Sequence, residues 1–568
     1  MLHKITLLII ITLFSILAIE VIFMKYEVIY FSKYNMSAAK QAAGKVGADW
    51  LLFVQQGGAL TDDSPARLEK YVAMAGEETV AFELHTEPVA TGRHTDPVTL
   101  EIMWVDPGAV LIKRSAFMQV GGFDPAFNLL AFIDLSWRLR SAGYTLQACP
   151  LAAVKVNEVP DERYEYIYGE YERLLLGIKW GRGAQARAEF EQTLKAPRHF
   201  DGVRKELAKL YAQHFLKTAT LKKFRKTELF NPLVCDFSRH YGPWRGQSEM
   251  MRIRVEPLVS VVIRTHKRKE VLRRTLMCLR NQIYKNFEIV IVEDGENTAE
   301  EMVKTDFADL NINYYATGKN VGRGRAGNIG IERAKGQFVS FLDDDDFYYA
   351  DFISGHISKF MEHPQADVVI SGIMAVKSNT LSVDPFEFEY KGMYPVNFDH
   401  ITLMDMCVKC RIPMTGAMFR RDMYDICGGM REDIGGDEDW VMWLKYITKG
   451  NRIDVYKPDI NRSMSMFLYP ADEAAAQKRL DGYEVFDRIM LYDESLVFDV
   501  HGSEIRQWEE YVKADINHLK NIGQLSQFLA NLKPLDIAKL EYNPDGENKI
   551  SARQINNYYY WLVEEYSK

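Results

Sequence analysis

Cysteine is scarce. Six in 568 residues do not make the framework that staples small secreted domains. The one close pair, Cys407-Val408-Lys409-Cys410, has no second pair at zinc-ribbon spacing, so these thiols read as core or surface groups. A basic excess is missing too. Lys and Arg number 70 against 78 Asp and Glu, a net charge of -8, so no global positive field draws a polyanion, which argues against a nucleic-acid partner. Low-complexity tracts and short repeats are absent. What is present is ample for packed cores: 47% hydrophobic and 26% charged residues, over a length that implies two or more domains at ~150 residues each.

One apolar run stands out. Ile5 to Met24 is broken by Thr6, Thr12, Ser15 and Glu20 alone, close to the ~20 residues a membrane span requires. Lys25, Lys33, Lys40 and Lys45 follow it, an excess that places the bulk of the chain at the cytoplasmic face. No small-x-small cleavage site follows. The run is therefore expected to be a single-pass anchor over residues 1–24, although Leu8-Ile9-Ile10-Ile11 would equally suit a core strand.

The most informative segment lies further on. Gln337-Phe338-Val339-Ser340-Phe341-Leu342 reads as a buried strand, and it ends in Asp343-Asp344-Asp345-Asp346. Such a cluster is either a solvated acidic turn or a set of carboxylates that needs a cation, and Mg²⁺ or Mn²⁺ suits carboxylate oxygens. The preceding chain alternates strand and helix. Pro257 to Thr265 is β-branched, Val271-Leu272, Leu276 and Leu279 fall at helical spacing, and Asn286 to Gly295 is a strand ending in acids. Ile312 to Tyr315 is a third strand, and Asn320 to Asn328 a Gly/Arg-rich turn that opens a helix. Acids gathered at strand ends are how an open α/β sheet builds a nucleotide site.

Residues 257 to about 465 resemble the family 2 glycosyltransferases of GT-A fold. Ser260 to Arg268, SVVIRTHKR, stands where the family has SVVIPTYNR, and Ile291 to Glu296, IVEDGE, where it has VVDDGS. Asn320, Gly322, Asn328 and Gly330 match its two Asn-x-Gly pairs, and Phe341 to Asp346 its fLDxDD. Thr415 to Arg421 matches its acceptor-side strand, and Gly435 to Leu444 its late Glu-Asp motif before an apolar helix. The resemblance implies a donor site at Thr265, Glu293, Asp294, Asn320, Arg325, Asn328, Asp343 and Asp344. It also implies a Mn²⁺ or Mg²⁺ ion at Asp343 and Asp345, and Asp439 as base with Glu438 orienting the acceptor. A nucleotide-diphospho-sugar donor (UDP being the family's commonest) and a glycan or lipid-linked acceptor follow, with inversion at the anomeric carbon and a task in cell-surface polysaccharide synthesis. Departures fall at the donor pocket. Arg264 replaces Pro, His266-Lys267 replace Tyr-Asn, Glu293 replaces Asp, and Gly327 stands where an Arg is usual, with Arg323 and Arg325 nearby. Asp459 to Ser463 lacks the usual His.

Residues 106 to 143 are similar to the acceptor half of the same family, through Gly121-Gly122-Phe123-Asp124 and Asp134-Leu135-Ser136-Trp137-Arg138-Leu139. Ala131 and Phe132 occupy the Glu-Asp positions, while Gln55 and Gly57 stand where fLDxDD has acids. Neither can replace a carboxylate at a hard cation. The expected architecture is α/β: a truncated, silent GT-A-like module over 25–160, a helical linker over 161–256, a complete Rossmann-like GT-A module over 257–470 and a helical tail over 471–568. The basic, apolar-striped Val203 to Lys226 suits either a packed linker helix or one lying on a membrane surface. Two other functions compete: a sugar nucleotidyltransferase, disfavoured by the lack of a Gly-rich loop with Lys at the first strand, and a glycan-binding scaffold, whose mark would be eroded acids.

Overall fold

The chain divides into two units, residues 1–244 and 245–568. The computed structural model describes residues 26–87, 96–156, 161–197, 200, 202–218, 256–396, 401–410, 412–450, 453–455, 465–472, 496–532, 534 and 536–568.

Unit 1 contains β1 (Tyr26–Phe31), α1 (Met36–Lys45), β2 (Trp50–Gln55), β3 (Gly58–Leu60), α2 (Ser64–Met74), β4 (Thr79–Glu87), β5 (Ala109–Lys113), α3 (Arg114–Gln119), α4 (Ala131–Ser141) and β6 (Thr145–Val156). Helices α5 (Glu162–Lys179), α6 (Gly183–Lys195) and α7 (Val203–Thr218) follow. The strands form one sheet in the order β1-β2-β5-β4-β6-β3. β1 runs parallel to β2, β5 is antiparallel to both β2 and β4, and β4 is parallel to β6. The expected linker of 161–256 is in part something else. Ile167, Tyr171, Leu174, Leu175, Phe190 and Leu207 of α5 to α7 enter the same core as Phe53, Phe117, Phe123 and Phe132, so these helices belong to unit 1. The apolar side of α7, with Leu207 buried and Leu210 and Tyr211 packed on that core, is covered by protein. For 203–214 that is the packed-helix alternative, while residues 219–226 of the basic segment lie outside the described residues.

Unit 2 opens with β7 (Val259–Thr265), α8 (Lys269–Arg280), β8 (Phe287–Glu293), α9 (Glu300–Asp306), β9 (Ile312–Ala316), α10 (Arg323–Arg333), β10 (Phe338–Phe341), β11 (Phe347–Tyr348), α11 (Phe352–Glu362) and β12 (Val368–Ile370). It continues with β13 (Ile373–Val383), β14 (Phe386–Val396), α12 (Leu403–Val408), β15 (Ala417–Arg420), α13 (Asp422–Cys427), α14 (Glu438–Gly450), β16 (Ile453–Val455), β17 (Ser465–Pro470), β18 (Val497–His501), α15 (Gly502–Asn521), α16 (Leu525–Ala530), β19 (Glu547–Ser551) and α17 (Ala552–Ser567). The main sheet runs β16-β12-β15-β10-β7-β8-β9. Every residue of β7 and β8 is buried, as expected of strands covered on both faces. β7 lies parallel to β8 and β10, and β15 is antiparallel to both β10 and β12. From β7 outward the pairings are thus parallel, antiparallel, antiparallel, parallel, the same succession as β1-β2-β5-β4-β6. The described residues of unit 1 hold no counterpart of β8 and β9. The C-terminal segment includes an antiparallel strand pair, β18 with β19, besides helices. Its α17 carries Tyr558, Tyr559 and Trp561 against the core of α12 and α14. Cys407 is a buried free thiol and Cys410 a half-buried one.

Among the described residues no helix is long and apolar enough to cross a membrane. This overturns the expected single-pass N-terminal anchor at the cytoplasmic face; residues 5–24, on which that expectation rested, lie outside the described residues, as do 459–463.

The expected silent site of unit 1 is closed by ions. Lys179, wholly buried, donates to Asp134 at 2.6 Å and Asp124 at 2.7 Å, and Arg138 donates to Asp134 at 2.9 Å. Glu172 accepts the amides of Asn128 and Leu130. Asp134 is thereby a structural anion between two cations. Breaking a buried pair by removing one partner costs about 3–5 kcal/mol, so Asp134→Ala should bring the unfolding of unit 1 to distinctly lower urea, followed by far-UV circular dichroism, with the unfolding of unit 2 unchanged.

Candidate active site

The acids and their partners meet where the strand order reverses, between β7 and β10, the position at which open α/β sheets bind ligands. The ends of β7, β8 and β10 and the first turns of α10 and α14 supply most of them. The turn after β10 is set from behind, where the Thr275 hydroxyl of α8 donates to the carbonyls of Asp344 and Asp346.

The four consecutive acids diverge. Asp346 points inward, accepting from the Thr415 hydroxyl and from the Leu468 amide at 3.2 Å; burial and neighbouring Asp345 and Asp343 push its carboxyl well up. Asp344 is buried, accepting from the Thr265 hydroxyl at 2.6 Å and from Arg268. Burial, against the pull of Arg268, raises its pKa to about 7. Asp343 takes Arg264 at 2.9 Å and Arg323 at 3.7 Å. Burial opposes its ionisation, yet the two guanidinium charges prevail and hold it below the usual carboxylate range. Asp345 is the exposed member, 39% accessible, with Arg268 at 3.1 Å.

On the opposite side Glu438 is buried. It accepts from Arg264 at 2.6 Å and faces Arg323 at 3.5 Å; these charges outweigh burial and hold its pKa down. Asp439, next along α14, behaves oppositely. Burial first and the Glu438 charge second raise it to about 7. The approach to this helix is strained, since Asp437 has φ +54°, a left-handed conformation that costs a non-glycine residue about 1–2 kcal/mol. Lys267, between β7 and α8, has φ +53°, and strain of this kind gathers at functional sites.

The remaining expected residues divide. Asp294 accepts the amides of Val321 at 2.6 Å and Gly322 at 3.0 Å, fixing the Gly/Arg turn, in which Gly322 at φ +90° has the freedom such a turn demands. Asn320 lies exposed in that turn. Glu293 faces away from the acids. Its buried carboxylate accepts the amides of Thr298 and Ala299 and the hydroxyls of Thr298 and Tyr314, a framework role that its extra methylene over Asp permits. Arg325 turns to Glu332 at 2.9 Å and Glu432 at 3.2 Å, so the arginine this turn brings to the acids is Arg323. Asn328 is buried and clasps the Met430 backbone through both its carbonyl and its amide, at 2.8 and 3.0 Å, and Glu432 at 2.8 Å. Sequence reading missed Arg268. The available signal was charge balance, because a sheet edge that collects six acids must also collect cations.

Among the described residues no three His, Cys, Asp or Glu side chains form a ready metal cage. Mg²⁺-type sites, however, take one or two carboxylates and leave the rest to water and phosphate. The exposed Asp345 and partly accessible Asp343 fit that donor set.

The strand order and this edge of acids are those of a GT-A fold. Residues 260–427 match the family model for glycosyl transferase family 2. The chain is 31% identical over 193 residues to YwdF of Bacillus subtilis, an uncharacterized glycosyltransferase, covering 33% of this chain and 67% of that one. GlyA, a glycosyltransferase of Streptococcus pneumoniae, is 27% identical over 154 residues, 27% of this chain and 22% of its own. Among solved structures, S. aureus TarS 1–349 in complex with UDP-GlcNAc aligns with TM-score 0.32 at 20% identity, over 41% of this chain and 66% of that one. The chain belongs to the family 2 glycosyltransferases. It spans 59%, 22% and 44% of the lengths of three curated relatives, from Rickettsia typhi, S. pneumoniae and Rickettsia conorii.

Asn328→Ala strands the polar backbone of Met430 in the interior, a loss of about 1–3 kcal/mol. It should lower the melting temperature and, by releasing the loop that leads into α14, lower turnover beyond what the melting curve accounts for.

Proposed function

We propose that unit 2 transfers a sugar from a nucleoside-diphosphate donor to an acceptor hydroxyl in a single inverting displacement. The observation that carries this reading is the split among its carboxylates. Asp439 is held near neutrality while adjacent Glu438 and facing Asp343 are kept ionised by Arg264 and Arg323. Titratable neighbours pushed apart in this way mark an acid–base assignment.

Asp439 is the base. As the acceptor oxygen attacks the anomeric carbon, its proton passes to the Asp439 carboxylate, the new glycosidic bond forms and the bond to the diphosphate breaks. A base with pKa near the working pH is the efficient choice. Glu438 stays ionised and orients the acceptor. Thr265 and Asp294 shape the nucleotide side by fixing Asp344 and the Gly322 turn. Arg268 and Arg323, each about half exposed, are the cations that face phosphate. A Mn²⁺ or Mg²⁺ ion held by Asp345 with Asp343 would supply charge neutralisation to the leaving diphosphate. UDP, as the family's commonest nucleotide, and a glycan or lipid-linked acceptor in surface-polysaccharide synthesis complete the proposal. Unit 1, with Gln55, Gly57, Ala131 and Phe132 at the acid positions, is read as silent.

Calorimetry against UDP, GDP, CDP and dTDP, with and without Mn²⁺, tests the donor side. One nucleotide should bind in a metal-dependent way, and Asp345→Ala should abolish that binding. Binding of none of them would favour a glycan-binding scaffold. Asp439→Asn should reduce turnover by about 10²–10⁴-fold and leave nucleotide binding intact. Because the working form is the carboxylate and its pKa is about 7, kcat/KM should be flat above that pH and fall about tenfold per unit below it. A profile that stays flat down to pH 5 would remove Asp439 from the role.

A further inference from the structure

Arg264 has no part in the chemistry above except as a neutralising charge, yet its placement is unusual. It is only 8% exposed and lies at the end of β7, the central strand between donor-side and acceptor-side elements. One arm of its guanidinium donates to Asp343 at 2.9 Å, the other to Glu438 at 2.6 Å. Its carbon lies 5.7 Å from the Phe341 ring centroid, which backs the clamp with an apolar wall. A planar fork of this kind fixes the angle between the two groups it holds, as a lysine ammonium cannot.

We propose that Arg264 is a positioning residue that couples occupancy of the donor side of this site to the geometry of its acceptor side. The proposal rests on the reading of unit 2 as a transferase. Asp343 belongs to the acid turn after β10, where a cation and a diphosphate are read to gather; Glu438 begins α14, whose next residue is Asp439. A divalent cation drawn to Asp343 competes with Arg264 for that carboxylate. A diphosphate draws on Arg323, the half-exposed second cation of the same pair at 3.7 and 3.5 Å. Either event changes how the Arg264 charge is shared with Glu438, and so biases the first turn of α14. Donor binding then sets the base before the acceptor arrives.

The test is a double-mutant cycle on the full chain. Wild type, Glu438→Gln, Arg264→Met and the double variant are titrated by calorimetry with Mn²⁺ and whichever of UDP, GDP, CDP and dTDP the wild type binds; melting temperatures are measured in parallel. Glu438 is on the acceptor side, so an uncoupled site would show additive effects on nucleotide affinity. The quantity read is the effect of Glu438→Gln on the Mn²⁺–nucleotide dissociation constant, measured once with Arg264 present and once in the Arg264→Met background. The expected result is that the two values differ by at least about threefold, the range of directly coupled groups. Affinity effects that multiply to within about twofold, with coupling seen in melting temperature alone, would make Arg264 a structural ion-pair centre and overturn the proposal. Arg264→Lys, which keeps the charge without the fork, replaces Arg264→Met if the latter does not fold, and the coupling should be lost there too. A wild-type protein that binds none of the four nucleotides would sink the transferase reading itself, and this inference with it.

Discussion

Six carboxylates crowd one edge of a buried sheet in unit 2, and their mutual repulsion is the constraint from which the rest of the site follows. In a partly desolvated setting like charges at such spacing cannot all remain ionised unless cations lie among them. The chain supplies three: Arg264 from the end of β7, Arg268 from the turn that follows it, and Arg323 from the start of α10. Their distribution is uneven. Asp343 and Glu438 receive two guanidinium partners each and remain ionised, whereas Asp439 sits beside an anion without a comparable partner and is driven toward neutrality. Reactivity in this site is thus allotted by where the arginines are placed, more than by which positions carry acids.

Unit 1 illustrates the same rule in reverse. It repeats the succession of strand pairings found in unit 2, but the positions that would carry acids hold Gln55, Gly57, Ala131 and Phe132. The one acid left, Asp134, is bound by Lys179 and Arg138. With full compensation there is no residual demand for a ligand, and the ions serve cohesion. That pairing around Asp134 supports the proposed silent reading of unit 1.

Much of the fold was legible because it rests on patterns that are local. The β-branched runs at 259–265 and 287–293, the helical spacing at 271–279 and the acids at strand ends are each visible within a dozen residues. The site was legible in its acids and only partly in its arginines. Arg325 was read toward the donor, but helix geometry turns it to Glu332 and leaves Arg323, two residues earlier, at the acids. Glu293 was read as a ligand contact because its position follows a motif; its longer arm reaches the amides that begin α9 instead. Side-chain direction at a turn depends on a few backbone angles, such as those of Gly322, that a pattern of residue types does not encode. The helices of 161–218 were placed in a linker since their apolar faces reveal burial but not the partner, and the partner is the aromatic core around Phe53 and Phe123.

The bond between Arg264 and Glu438 joins residues 174 apart in the chain. A ribosome adding 5–20 residues per second needs roughly 10–35 s to cover that distance. From the synthesis of Asp346 onward, Arg264 and the acid run are both present and the helix that completes the clamp is not. Strands β7 to β10 are made first, and the buried Arg264–Glu438 ion pair waits on synthesis of α14. The clamp is therefore completed only with α14, and a chain stalled or cleaved before residue 438 would leave one arm of the Arg264 guanidinium without its carboxylate, a defect that quality-control proteases and chaperones can meet.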